Sequence, residues 1–138
     1  MLLTRECDYA IRILRVLSGG DTVSIPEICR REEVKIPVAY KLAARLENAG
    51  YLTACRGTNG GYALKADLKK ITLYDVCRAV DRELFLAPCM EPGCFCARNG
   101  AEGKCLVHKE LGRIQQILIR ELSRRSLYEI LHHEEEKQ

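Results

Sequence analysis

Between residues 24 and 64 the chain carries three signals whose order restricts its fold more than anything else in it. "SIPEICRREEV" begins at Ser24 and has Glu27 three residues on, an S-x-x-E capping box that opens a helix whose Ile28 faces inward. "PVAYKLAARLENAG" restarts with Pro37 in a first turn, places Leu42, Leu46 and Ala49 on one stripe, and stops at Gly50. "YLTACRGTNGGYAL" alternates on either side of "TNGG", where Asn59-Gly60 suits the positive backbone angles of a tight hairpin turn. Two helices across a short turn, followed at once by a hairpin, predict a winged helix-turn-helix. The expected fold class is mainly α with a small β-hairpin wing, extended by a long dimerisation helix.

The flanking sequence supplies that extension. Thr4 can cap a first helix to about Leu17, with Ala10, Ile13, Leu14 and Leu17 on one face and "GG" at 19–20 ending it. "ITLYDVCRAVD", residues 71–81, reads as a helix capped at Thr72, with Leu73, Val76 and Val80 inward. From about Leu106 onward, Val107, Leu111, Ile114, Leu118 and Leu122 recur every three or four residues, and Ile117 and Ile119 widen the face. That is more apolar surface than a small domain covers, so self-association is expected, with folding back over its own domain as the alternative. "SLYEIL" opens a last short helix with another S-x-x-E box.

A chain of 138 residues holds one domain with an extension more readily than two domains. The expected division is a winged helix-turn-helix over 1–81, a cysteine-rich loop over 82–105, the dimerisation and terminal helices over 106–131, and an acidic tail over 132–138. His132 and His133 adjoin that tail and read as part of a solvated terminus. No apolar run approaches the roughly 18 residues of a membrane span, and the first residues lack the pattern of a secretory signal. A cytoplasmic protein without a membrane partner is the expectation, and in that compartment clustered thiols stay reduced.

The formal net charge of +3 proves no nucleic-acid partner by itself, and residues 1–65 hold 10 basic against 7 acidic side chains. Position says more. In a winged helix-turn-helix the second helix of the motif enters the major groove, which offers Val38, Tyr40, Lys41 and Arg45 to double-stranded DNA. Arg56 at the base of the wing suits a phosphate or a narrow minor groove, and Thr58 and Asn59 complete the wing's candidate contacts. The bland reading is a small helical domain with solvated charges, against which the ordered conjunction of signals weighs.

"CMEPGCFCARNGAEGKCLVH" gathers Cys89, Cys94, Cys96 and Cys105 with intervals of four, one and eight residues, and His108 follows after two more. Thiolates so closely spaced can converge on one soft metal centre, zinc or iron–sulfur. The absence of a C-x-x-C knuckle disfavours zinc without excluding it, and a reversible thiol switch stays open. His108 is either a further ligand or a surface residue at the start of the long helix. Cys7, Cys29, Cys55 and Cys77 fall singly on regular elements, where a buried thiol is a small apolar side chain. An electron-transfer protein or redox enzyme is argued against by the missing C-x-x-C and the lack of a nucleotide-binding glycine motif. No catalytic residues are expected.

From Met1 to about Leu131 the chain resembles the IscR/NsrR-type winged-helix transcription regulators. The residues that carry the resemblance are "LT" with "DYAIRIL", "EIC", "AYKL" with "LENAGYL", "RGTNGGYAL", "ITLYDVCRAVD" and the cysteines with "CLVH". It implies a homodimer, paired through the long helix, that binds palindromic promoter DNA and carries an iron–sulfur cluster, of either the 2Fe-2S or the 4Fe-4S type. Family members use three cysteines and a variable fourth ligand. By resemblance Cys89 and Cys105 match the first and third cysteines, and either Cys94 or Cys96 the second. His108 matches the fourth ligand of the iron–sulfur biogenesis branch. Asp8 matches the cross-subunit carboxylate of the nitric-oxide-sensing branch, and is otherwise an acid favoured by a helix N-terminus. The extra cysteine and the longer interval before Cys105 depart from the family pattern and leave all-cysteine ligation open.

Overall fold

The computed structural model describes residues 3–81, 84–100 and 102–132. The expected acidic tail beyond His132, including His133, lies outside the described residues. The elements are α1 (Arg5–Leu17), α2 (Ile25–Glu32), α3 (Ile36–Asn48), β1 (Leu52–Cys55), β2 (Gly61–Leu64), α4 (Leu73–Asp81), α5 (Leu106–Leu122) and α6 (Leu127–His132), with short 3-10 turns at Leu68–Lys70 and Pro88–Met90. This is the mainly helical, hairpin-bearing architecture read from the sequence.

α1 starts where Thr4 accepts a hydrogen bond from the Cys7 amide. It lays Cys7, Ala10, Ile13, Leu14 and Leu17 into the core against Ile28, Leu42, Leu46, Val76 and Val80. Each Leu, Ile or Val among them contributes about 1.5–3 kcal/mol on leaving water, and the core is contiguous across the first four helices and β1. The α1–α2 seam is reinforced from outside. Arg15 forms a two-pronged ion pair with Glu32, and Arg12 donates to the Glu32 carbonyl at 3.0 Å, satisfying a free group at the end of α2.

The caps follow the sequence with one departure. Ser24 accepts from the Glu27 amide at 3.4 Å, but the Glu27 carboxylate is taken by Arg30 and Arg31 and so forms only half of the expected box. Those two guanidinium groups hold its carboxyl at about 2, well below the usual range. The boxes at Thr72 with Asp75 and Ser126 with Glu129 close reciprocally. Between α2 and α3 the chain reverses within a few residues because Glu33 adopts a left-handed conformation at φ 55.

The wing is real, but its turn is not the one expected. β1 and β2 pair antiparallel with Leu52 opposite Leu64 and Cys55 opposite Gly61, leaving a loop over 56–60. The positive backbone angles fall at Gly57 (φ 113) and Gly61 (φ 156), and neither Asn59 nor Gly60 has one. A longer loop carries the reversal, closed by the Gly60 amide donating to the Gly57 carbonyl at 3.0 Å. Gly61 is required by packing as well, since a Cβ there would stand 2.2 Å from the Val23 carbonyl oxygen. That contact lets Val23 pair with Tyr62 and fasten the hairpin to the start of α2.

Ala49, expected on the buried stripe of α3, is exposed at the C-cap, and Ala39, Leu42, Ala43 and Leu46 are the buried set. The helix has ended before its periodicity can bury Ala49. α5 differs from every helix before it, because Gln115 is its one buried residue. Leu106, Val107, Ile114 and Ile117 are exposed, and Leu111, Leu118, Ile119 and Leu122 are half-covered. α6 then returns to the helical domain. Leu127 is fully buried, and its amide donates to the Ile71 carbonyl at 2.7 Å.

Candidate nucleic-acid interface and cysteine-rich site

Two surfaces carry the sequence-predicted residues. The first is α3 with the wing. Tyr40 is half exposed, Lys41 is exposed, and Val38 is half-buried and packs against the core. Lys41 and Arg45 are not free. Both pair with Glu6 of α1, Arg45 at 2.8 Å, and Arg45 also donates to the Val80 carbonyl at 2.5 Å in the last turn of α4. Lys41 foremost, with Arg45, holds the Glu6 carboxyl below its ordinary value against the opposing effect of burial. Sequence reading missed Glu6, whose only signal was an acid in the first turn of a neighbouring helix. Arg56, Thr58 and Asn59 are exposed in the loop that joins β1 to β2, so Arg56 stands at the wing's tip and not at its base as expected, because β1 ends at Cys55.

The second surface runs from residue 84 to the start of α5. Cys89 lies in the 3-10 turn Pro88–Met90, Cys94 is exposed, and Cys96 and Cys105 are half-buried. Asn99 organises the second half of the segment, a role that no periodic pattern announces. Its amide donates to the Cys96 carbonyl at 3.1 Å, and its side-chain oxygen accepts from the Cys105 amide at 3.2 Å. The amides of Asn99 and Arg98 pull the Cys96 thiol below its ordinary value. Cys105 is the N-cap of α5, and its sulfur accepts from the His108 amide at 3.5 Å.

His108 follows on the first turn of α5. Its Nδ1 is buried and has no hydrogen-bond partner. Gln115, also missed by sequence reading, anchors the segment from the other side, its Oε1 accepting from the Leu86 amide at 2.9 Å. A polar residue one helical turn after Leu111, inside an apolar stripe, was the signal for it. Asp8 is exposed on α1 and paired with Arg12 at 3.1 Å. Among the described residues no three Cys, His, Asp or Glu side chains stand close enough together to hold a metal ion. The donor set suits iron and sulfide chemically: four thiols, two held by backbone amides, and an imidazole nitrogen left without a partner.

Of the remaining cysteines, Cys7, Cys29 and Cys77 are buried and Cys55 is half-buried. The neighbouring Cys77 lowers the Cys7 thiol below its ordinary value, whereas burial raises that of Cys29.

A helix-turn-helix whose second helix stands beside a hairpin wing defines a winged-helix, DNA-binding transcription regulator. The sequence pattern of the Rrf2 family, described as an iron-dependent transcriptional regulator, matches residues 3–133, and the chain belongs to that family. It is 36% identical over 95 residues to the protein aau3 of Rhizobium meliloti, a match covering 67% of this chain and 62% of that relative, which is less than two thirds of its length. The transcriptional regulator IscR of Klebsiella pneumoniae is 29% identical over 140 residues, covering 98% of this chain and 82% of the relative. Among solved structures, IscR of T. potens superposes with a TM-score of 0.72 at 21% identity, covering 98% of this chain and 89% of the other. The oxidised form of Staphylococcus aureus CymR gives 0.72 at 19%, covering 95% and 96%. At those identities the two structures establish the fold. The family and its relative IscR of Klebsiella pneumoniae are regulators of transcription, not enzymes. No helix among the described residues is long and apolar enough to cross a membrane.

Proposed function

We propose that this protein is a homodimeric, cytoplasmic regulator that binds a palindromic operator and senses redox, nitric oxide or iron–sulfur status through a cysteine-held iron–sulfur cluster. The observation that carries the reading is the buried, unpartnered Nδ1 of His108, one helical turn from Cys105 at the head of α5. A buried imidazole nitrogen without a hydrogen-bond partner costs about 1–3 kcal/mol, and ligation removes that cost. Cys89, Cys105 and one or both of Cys94 and Cys96 would supply the thiolates, with His108 or Asp8 as the further ligand. When bound, the cluster supplies a centre that reacts with oxidants and nitric oxide at thiolate-held iron.

The chain's own residues then connect that site to DNA. Cys89 and Cys105 bracket the segment, and drawing them together changes the path between the end of α4 and the start of α5. Gln115 and Asn99 hold that path at its two ends. α5 exposes the apolar residues through which two subunits would pair, and so sets the distance between two α3 helices. Half-sites about 34 Å apart tolerate little change in that distance, so a rearranged segment alters operator affinity. Tyr40, Lys41, Arg56, Thr58 and Asn59 are the proposed DNA contacts, with Val38 against bases at the start of α3 and Arg45 beside them.

A second reading is a thiol switch or zinc-stabilised regulator of the same fold; the lowered Cys96 thiol favours its thiol-switch form. Anaerobic purification separates the two. Brown protein containing iron and acid-labile sulfide supports the cluster. Colourless protein, whether zinc-containing or forming a reversible disulfide, replaces it with the second reading.

A further inference from the structure

We propose that Glu6 is a latch on the recognition surface: presented from the first turn of α1, it occupies Lys41 of α3 in the DNA-free protein, and DNA phosphate competes with it for that ammonium. The inference rests on the reading that α3 faces DNA. Lys41 and Arg45 are the basic side chains within α3, and both converge on this one carboxylate.

Their attachments differ. Arg45 has two acceptors on two elements, Glu6 at 2.8 Å and the Val80 carbonyl at 2.5 Å, so its planar guanidinium ties α3 to the last turn of α4. Arg45 is thereby a positioning residue. Lys41 has Glu6 alone, about half of its side chain is open to water, and its ammonium swings on a flexible stem. A partly exposed pair of this kind is weak enough to exchange with an incoming anion.

Two effects of the carboxylate act in the same direction. It neutralises the exposed cation of the recognition helix, and its own charge repels an approaching phosphate. Glu6 therefore restrains sequence-independent binding, and contacts that only the correct site provides have to offset that restraint. The restraint sits on the helix pair that Arg45 joins to the end of α4, immediately before the cysteine-rich segment.

The test is a double-mutant cycle on the full-length protein, using a fluorescein-labelled mixed-sequence DNA duplex at low salt. Glu6→Gln keeps the shape of the side chain and leaves Arg45 its Val80 acceptor. It is expected to tighten binding about 5-fold, and in a Lys41→Met background the same change is expected to move affinity less than about 2-fold. Equal tightening in both backgrounds would reduce Glu6 to a general charge effect and overturn the latch. So would unchanged affinity in Glu6→Gln protein that melts like the wild type. Wild-type protein that fails to bind the duplex would sink the placement of α3 on DNA, whereas wild type that binds, with Glu6→Gln no different, sinks the latch alone.

Discussion

The helical domain up to Asp81 and the stretch from Leu84 to Leu122 are built on opposite terms. Among the described residues every buried apolar side chain except Leu127 lies between Cys7 and Val80, and the second stretch buries only Gln115. The first region satisfies its own hydrophobic demand within one chain. In the second, Phe95, Leu106 and Val107 are 83%, 82% and 67% exposed, and four cysteines sit on turns with little packing to hold them. A stretch that a single copy of its own chain leaves uncovered is shaped for something brought to it. On the proposed reading these are a second subunit along α5 and a cluster at its head.

Truncating one apolar side chain in each region, buried in the first and exposed in the second, is the strongest way to break that contrast. Leu42→Ala should cost about 3 kcal/mol in chemical denaturation, because Leu42 is fully buried and its truncation opens a cavity in the core. Ile114→Ala should shift the same transition by less than about 1 kcal/mol when followed at concentrations low enough to hold the protein monomeric. Equal losses would mean that α5 belongs to the same core. Next in size, Ile114→Arg should weaken self-association at least about tenfold by sedimentation, since it places a charge on the exposed apolar face. A dimer of unaltered affinity would move the subunit interface elsewhere.

Smaller effects sharpen the picture of the first region. Thr4→Ala removes the cap of α1 and should cost about 1 kcal/mol, read from the denaturation midpoint. Glu33→Gly relieves a left-handed residue between α2 and α3 and should leave stability within a few tenths of a kcal/mol of the wild type or slightly above it. A large loss there would show that the Glu33 side chain contributes contacts beyond its backbone.

What the sequence disclosed follows the same division. Helix caps at Thr4, Ser24, Thr72 and Ser126 and the inward faces of α1 and α4 were legible because capping and 3.6-residue periodicity are local properties. The hairpin was legible as well, but its turn was assigned to Asn59-Gly60 when Gly57 and Gly61 take the positive angles. Close approach to Val23, a tertiary contact, decided that. Lys41 and Arg45 were proposed from their position on the helix, and Glu6, which engages both, was not, because 35 and 39 residues separate them in sequence. The cysteine segment was conspicuous as composition. Its Asn99 and Gln115 anchors were hidden, since each acts through a single hydrogen bond that no periodicity announces.

The measurement that bears most directly on the whole account is operator binding by oxygen-free protein, with iron and sulfide quantified, before and after the metal is removed by chelation. Brown protein with matching iron and sulfide is expected, and its affinity for the operator should change at least about tenfold on removal, a difference of about 1.4 kcal/mol. Protein that lacks sulfide and grips the same DNA equally well in both conditions would contradict it.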